Sequence, residues 1–416
     1  MEPGAAPVTD GVVVIEREKI RFAGAAAQAP GTPDAEKVDC TGCVILPGLV
    51  NSHTHVAMTL LRGFADDMHL QPWLEEKIWP TEMKLKPEDV YWGALLGICE
   101  MLRGGVTCFS DMYHFFREGT EAAVEGGIRV CPSGVLLGFL PNAGDLLGEA
   151  REFVAEMQGQ PRVHPMFGPH APYTCPDALL ERVVAHAAEL QAPIHIHVSE
   201  TRKEVEDSLK EYGETPVQRL ARLGVLDQQV SAAHCVHLTH EDRAILVEKG
   251  TGIAHCGGSN LKLASGFAPI PQLLAEGAVL GLGTDGCASN NNLDMFEEML
   301  LAGIVSKCVT GDPTAVPAEA ALAMATREGA RSLGLGEKIG TLTAGKQADV
   351  AVVDCRRPHL QPLHNVVSHL VYSARADDVI MTIVAGEIVY REGILERVDE
   401  AEVMAKASEA ARRLTS

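Results

Sequence analysis

The sequence predicts a closed parallel (β/α)8 barrel of the TIM type, with a small β-sandwich domain built from both chain ends. Three observations carry that prediction. Between about residues 44 and 286, short β-branched runs alternate with amphipathic helical patterns eight times in series. Strand-like pairs with turn residues between them flank that region on both sides. A chain of 416 residues is also too long for one small core and fits one large barrel plus a minor domain.

Taken in order, residues 11–24 read as a strand pair. The eight barrel strands are expected at 44–56, 106–112, 128–136, 162–170, 192–200, 229–237, 251–259 and 278–286. Helical patterns at 89–103, 176–190 and 202–223 lie between them. Eight strand–helix units in series close into a barrel rather than an open doubly wound sheet. Residues 348–354 then add a strand, 376–393 a second strand pair, and 400–414 a polar, Ala-rich helix. The expected division is 1–48 as the first part of the small β-domain, 49–340 as the barrel, 341–396 as the second part, and 397–416 as a C-terminal helix. No internal repeat beyond the βα period and no low-complexity tract interrupts it.

Composition narrows the function classes. A formal net charge of −21 argues against a nucleic-acid backbone as partner, because phosphate binding needs clustered Lys and Arg. It says little about a small substrate. Eleven cysteines form an odd set, the opening residues show no secretory pattern, and most thiols fall in apolar runs such as 105–112 and 230–237. Reduced thiols in the cytoplasm are the expectation. No apolar run reaches the ~18 residues of a membrane span.

The chemistry gathers at strand ends. His53-Thr54-His55 follows the apolar run Val44-Ile45-Leu46-Pro47-Gly48-Leu49-Val50, and residues i and i+2 of a strand share a face. The fifth barrel strand ends His195-Ile196-His197-Val198-Ser199-Glu200, the sixth contains Ala233-His234-Cys235, and the eighth ends Gly283-Thr284-Asp285-Gly286. A buried His bonded to a carbonyl, or an Asp capping a helix, explains any one of these. It does not explain all of them falling where barrel chemistry is placed. Three His and one Asp form a Zn2+ set with one position left for water.

Residues 47–55, with His197-Val198-Ser199-Glu200-Thr201 and Thr284-Asp285-Gly286, resemble the amidohydrolase superfamily. More narrowly, the chain is similar to the 5-methylthioadenosine/S-adenosylhomocysteine deaminases. Residues 340–349 resemble the return of such chains into their small β-domain, so the likeness spans nearly the whole length. The resemblance implies one divalent metal, Zn2+ by ligand type, on His53, His55, His197 and Asp285. In that pattern the second His of the fifth strand is the ligand, and His195 packs the barrel interior. His237 and His255 are also read as packing, and Cys235 and Cys256 as inert. Two-metal relatives resembling dihydroorotase or urease use a carboxylated Lys inside the barrel. The strand at 162–170 has none, nor do its neighbours, which favours one metal.

The implied reaction is hydrolytic deamination of the adenine ring of 5-methylthioadenosine, 5′-deoxyadenosine, adenosine or S-adenosylhomocysteine. The inosine derivative and ammonia are the products. Glu200 precedes Thr201-Arg202-Lys203-Glu204, a capping box, and therefore stands at the strand-to-helix turn. The resemblance and acid–base logic give it proton delivery to the purine N1. Asp285 takes the water's proton, and His234 polarises the hydroxide without necessarily ligating metal. For the substrate, the resemblance gives Glu82 the ribose diol and His170 a nucleoside contact. The stretch holding Trp73 and Trp79-Pro80-Thr81-Glu82 reads as a covering loop, with Trp73 closing over the ligand or packing beneath it.

One departure bears on the substrate. A homocysteine tail carries a carboxylate best held by an Arg fork, yet residues 130–147 contain no Lys or Arg. A small or apolar 5′ group is favoured. Rival readings are a guanine-type or s-triazine-type deaminase, a dechlorinating relative, and a non-catalytic amidohydrolase-like scaffold. Glu200 and Glu82 stand against the first three, and the full ligand set against the last. The expected partner is a small nucleoside acting with a homo-oligomer, without nucleic acid or membrane.

Overall fold

The computed structural model describes residues 6–416. Two strands open it, β1 (Gly11–Glu16) and β2 (Lys19–Ala25), paired antiparallel. Next come β3 (Cys43–Pro47) and β4 (Leu49–Thr54). Seven further barrel strands follow: β5 (Val106–Tyr113), β6 (Arg129–Leu136), β7 (Met166–Pro169), β8 (Ile194–Val198), β9 (Val230–His234), β10 (Gly252–His255) and β11 (Val279–Leu282). The chain returns through β12 (Val350–Asp354), β13 (Val379–Val384), β14 (Glu387–Arg391) and β15 (Ile394–Leu395). It finishes on the helix Glu400–Thr415.

Strands β4 to β11 form one sheet in chain order, each neighbouring pair parallel. Just past β11, Asp285 donates its N–H to the carbonyl of His53 at 3.0 Å, which draws the last strand's end onto the first. The result is the (β/α)8 barrel. Its outward residues, among them Leu49, Phe109, Phe167, Ile196 and Leu280, are fully buried under the surrounding helices. The bottom is stopped by Leu333, Leu335 and Ile339, packed on Val50, Cys108, Cys131 and Met166.

The apolar run expected to be a single strand over 44–56 is two strands in two sheets. β3 pairs antiparallel with β12, from Cys43↔Asp354 to Pro47↔Val350, whereas β4 pairs parallel with β5. Gly48 alone separates them, and a Cβ there would lie 2.2 Å from the Thr107 side chain. Both segments are apolar, so periodicity could not reveal the change of sheet.

The five-stranded sheet runs β15-β14-β13-β12-β3, and the β1–β2 hairpin is a separate sheet tied to the segment just ahead of β12 through bonds such as Ile20 N–H to Lys346 O at 2.9 Å. Arg129 of β6 grips Asp349 with two bonds of 3.0 Å, both side chains being buried. This pair locks the barrel to the returning chain. Removing one partner of such a pair typically costs about 3–5 kcal/mol. The helical pattern expected over 202–223 divides into Arg202–Tyr212 and Pro216–Arg222, because Gly213 ends the first in a left-handed conformation and Thr215 caps the second. Among the described residues, no helix is long and apolar enough to cross a membrane.

Candidate metal centre

The strand ends bring the polar residues to one end of the barrel. Ser199, His234, Cys235 and Asp285 all adopt left-handed backbone, with φ of 51°, 71°, 50° and 62°. Non-glycine residues hold that conformation at a cost of about 1–3 kcal/mol, so surrounding bonds must fix it. Asp285 N–H binds His53 O, and Cys235 N–H binds Val198 O at 3.0 Å.

Each imidazole in the mouth has one nitrogen tied off. His55 Nδ1 lies 2.6 Å from Met112 O, and His197 Nδ1 lies 2.6 Å from His170 O. A carbonyl only accepts, so both Nδ1 atoms carry the hydrogen and both Nε2 atoms present a lone pair. His53 Nδ1 lies 2.7 Å from His195 Nε2, while His195 Nδ1 stands 3.3 Å from the hydroxyls of Ser110 and Ser133. Ser133 spends its own proton on Asp111 O at 2.7 Å, so His195 Nδ1 donates to it. His195 Nε2 then accepts from His53, and His53 Nε2 is left bare. His195 does occupy the interior, as expected, but it also orients His53.

The bare atoms face one another. Asp285 Oδ1 lies 3.3 Å from both His53 Nε2 and His55 Nε2, and His55 Nε2 lies 3.2 Å from His197 Nε2. Among the described residues, His53 Nε2 and Asp285 Oδ1 are buried without a hydrogen-bond partner. The other Asp285 oxygen is saturated, accepting from Ser259 at 2.6 Å and Ser289 at 2.8 Å. Two compact groups of potential ligand atoms result: His53, His55 and Asp285; and His53, His197 and His234. Burial pushes the His53 imidazole down to about 4, and holds His197 well below the usual range, so both rings are neutral as ligation requires. Lone pairs without donors, neutral rings and fixed outer nitrogens fit a divalent metal.

Two acid–base groups adjoin this cluster. His234 binds Asn260 Oδ1 through Nδ1 at 2.8 Å and points Nε2 at Glu200 Oε2, 3.8 Å away. Glu200 is buried and accepts from Ser265 at 3.3 Å; burial raises its pKa against the pull of His234. The capping box expected at Thr201 is half formed. Thr201 Oγ1 accepts the Glu204 N–H at 3.2 Å, but the Glu204 carboxylate passes the cap and binds Ser199 and Glu200 instead.

A cleft of about 620 Å3 opens above, and every residue expected in the site except fully buried His53 lines it. The covering stretch is helical rather than a loop: Leu70–Pro72, a π-helical turn at Trp73–Ile78, and Trp79–Glu82. Pro80 sits in the first turn of its helix, where no N–H is needed. Trp73 is buried in the cleft wall. Glu82 lines the cleft together with Tyr113, and His114 Nε2 lies 3.8 Å from its carboxylate. His170 sits on the opposite wall, its ring 4.8 Å from that of His197.

Sequence reasoning missed Tyr113, His114, Ser259, Asn260, Ser265 and Ser289. The run Gly257-Gly258-Ser259-Asn260, small and polar directly after β10, was the available signal. No Lys or Arg lines the cleft among the described residues. Arg62 is engaged by Glu100 and Asn291, and Arg117 by Glu156 at 2.7 Å. The wall over 130–147 contributes Val135 and Leu137, with Phe139 packed on Trp79 at 5.6 Å between ring centres.

Residues 44–389 match the model of the amidohydrolase family. A 5-methylthioadenosine/S-adenosylhomocysteine deaminase of Pelotomaculum thermopropionicum is 48% identical over 410 residues, covering 98% of this chain and 94% of that one. Its counterpart in Moorella thermoacetica is 49% identical, covering 96% and 94%. The crystal structure of an adenosine deaminase from Xanthomonas campestris with bound zinc superposes with a TM-score of 0.95 at 40% identity, covering 99% of this chain and 95% of that one. The chain therefore belongs to the amidohydrolase family and, within it, to the 5-methylthioadenosine/S-adenosylhomocysteine deaminases.

Proposed function

We propose that this protein hydrolytically deaminates the adenine ring of adenosines bearing a small or apolar 5′ group. The observation that carries the reading is one cleft with two ends: Glu200 and His234 beside the ligand cluster, and Glu82 near the covering helices. A ring and its ribose diol need those two groups at once, whereas a bare heterocycle would leave Glu82 unused.

His53, His55, His197 and Asp285 would hold the metal, and their nitrogen-rich set favours zinc. When bound, the metal acidifies a water towards a pKa of ~7. The remaining work is proton traffic. Water adding to the amino-bearing ring carbon requires a proton at the adjacent ring nitrogen, and Glu200 supplies it. Its burial keeps the carboxyl protonated to higher pH than an exposed glutamate, the property a general acid needs. Asp285 takes the proton lost by the water. His234, fixed by Asn260, presents Nε2 to the attacking oxygen. The proton held by Asp285 passes to the amino group, which leaves as ammonia as its C–N bond breaks. The added hydroxyl gives its remaining proton back to Glu200 as the C=O forms, and the ring becomes a hypoxanthine.

At the 5′ end, Val135 and Leu137 would gain from a methylthio group, at roughly 25 cal/mol per Å2 of apolar surface covered. A carboxylate buried there would lack a partner. The test is kcat/KM, by ultraviolet absorbance, for 5-methylthioadenosine, 5′-deoxyadenosine, adenosine and S-adenosylhomocysteine in one buffer. The neutral compounds are expected to lead. A tenfold advantage for S-adenosylhomocysteine, about 1.4 kcal/mol, would overturn the tail assignment. Turnover of guanine or an s-triazine with no adenosine converted would overturn the substrate class.

A further inference from the structure

Glu204 stands in the first turn of the helix Arg202–Tyr212, where a carboxylate ordinarily returns to the N–H of the cap residue. Here one oxygen accepts the Ser199 N–H at 2.9 Å and the other accepts the Glu200 N–H at 2.8 Å. A two-point grip on consecutive N–H groups fixes both the direction and the rotation of the backbone between them. From the other side, the Ser199 carbonyl accepts from Val236 N–H at 3.1 Å and His237 N–H at 2.9 Å. The segment so gripped is the left-handed one, and the Ser199 hydroxyl is buried without a partner, so its side chain does none of the holding.

The grip ends on the residue whose placement matters. Glu200 leaves this turn to bring its carboxylate within 3.8 Å of His234 Nε2. Glu204 itself is buried and outside the cleft lining, so it touches neither substrate nor metal ligands. Burying a second carboxylate so near the first has a cost that simple capping would not require, since Thr201 already caps the helix.

We propose that Glu204 is a positioning residue, which holds the Ser199–Glu200 turn so that Glu200 meets the purine ring nitrogen. The proposal rests on the reading of Glu200 as proton carrier. Glu204→Gln keeps the shape but turns an amide NH2 towards one of the two N–H groups, so half the grip becomes donor against donor. Zinc-loaded E204Q should retain one metal equivalent and a KM for 5-methylthioadenosine within about threefold of wild type, while kcat falls at least tenfold.

The deciding measurement is the double-mutant cycle with Glu200→Gln. If Glu204 acts through Glu200, E204Q lowers kcat in the wild-type background and has no further effect in E200Q. An equal loss in both backgrounds overturns the proposal and makes Glu204 a general structural residue. Wild-type turnover in E204Q also overturns it, with Glu200 untouched. By contrast, full turnover in E200Q alone removes the reading beneath it. The cycle is repeated on Ser199→Gly, because glycine adopts left-handed backbone without being held. A fold lost in E204Q is expected to return there. Loss of fold in both backgrounds would show that Glu204 holds the chain rather than Glu200, and would equally overturn the proposal.

Discussion

The floor and the rim of the cleft are built on opposite principles. On the floor, His53, His55, His197, His234 and Asp285 each have a second polar atom bound by a carbonyl, an amide, a hydroxyl or another imidazole. Their freedom is one atom wide. On the rim, Trp79 and Phe139 meet by non-directional contact, Leu137 lines the same cleft, and Phe139 is 56% exposed. On the proposed reading, the floor sets which reaction occurs, because a displaced ligand atom would leave a buried lone pair unpaired. The rim sets which substrate enters, since apolar contacts tolerate exchange of one shape for another.

The sharpest way to break the floor is to remove a ligand. His53→Ala or Asp285→Ala is expected to lose metal and activity together. Metal analysis alongside turnover checks this, and a full metal equivalent with unchanged turnover would defeat the ligand assignment.

Next in size is Glu200→Gln, which should keep metal and nucleoside binding but lose ~10²–10⁴-fold in kcat. Single-turnover rates with a parallel metal assay separate the two effects. A variant within about twofold of wild type would remove Glu200 from the mechanism.

The rim should respond by selectivity. Phe139→Arg, at the exposed ring packed on Trp79, is expected to shift kcat/KM for S-adenosylhomocysteine relative to 5-methylthioadenosine upward by about 1.4- to fivefold, as a part-exposed ion pair contributes ~0.2–1 kcal/mol. An unchanged ratio would place the tail elsewhere.

A last effect, on stability rather than turnover, lies beneath the floor. Glu298 is buried, accepts from Gly258 N–H at 3.2 Å and from Asn290 at 2.9 Å, and burial pushes its carboxyl up to about 8. Its folded pKa exceeds the unfolded value of ~4.3, so its contribution to stability is complete below that value and is lost as pH rises towards 8. The thermal midpoint of wild type minus that of Glu298→Gln should therefore fall between pH 5 and 8. A constant difference would show that Glu298 titrates normally.

Much of the fold was legible because a barrel repeats one simple unit, and the β/α alternation survives without knowledge of contacts. The floor residues were visible because each is a rare type at the end of an apolar strand. What stayed hidden depends on partners far along the chain. His195 reads as packing until Ser110 and Ser133 are placed beside it. Glu204 looks like half of a capping box until its carboxylate is seen to reach back past Thr201. The covering helices were obscured by Pro72 and Pro80, whose meaning depends on where a helix begins.

The junction at Gly48 also has a consequence in time. β3 leads directly into the barrel's first strand, yet its partner β12 lies about 300 residues later. At translation rates of ~5–20 residues per second, β3 emerges roughly 15–60 s before β12 exists. During that interval the strand Cys43–Pro47, which the finished sheet partly buries, has an open edge beside a growing barrel. The small sheet is thus the last part to assemble, and the Arg129–Asp349 pair can form only when the chain returns to it. Return of the chain through β12, rather than completion of the eighth barrel strand, is the event that lets the small sheet and the Arg129–Asp349 pair form.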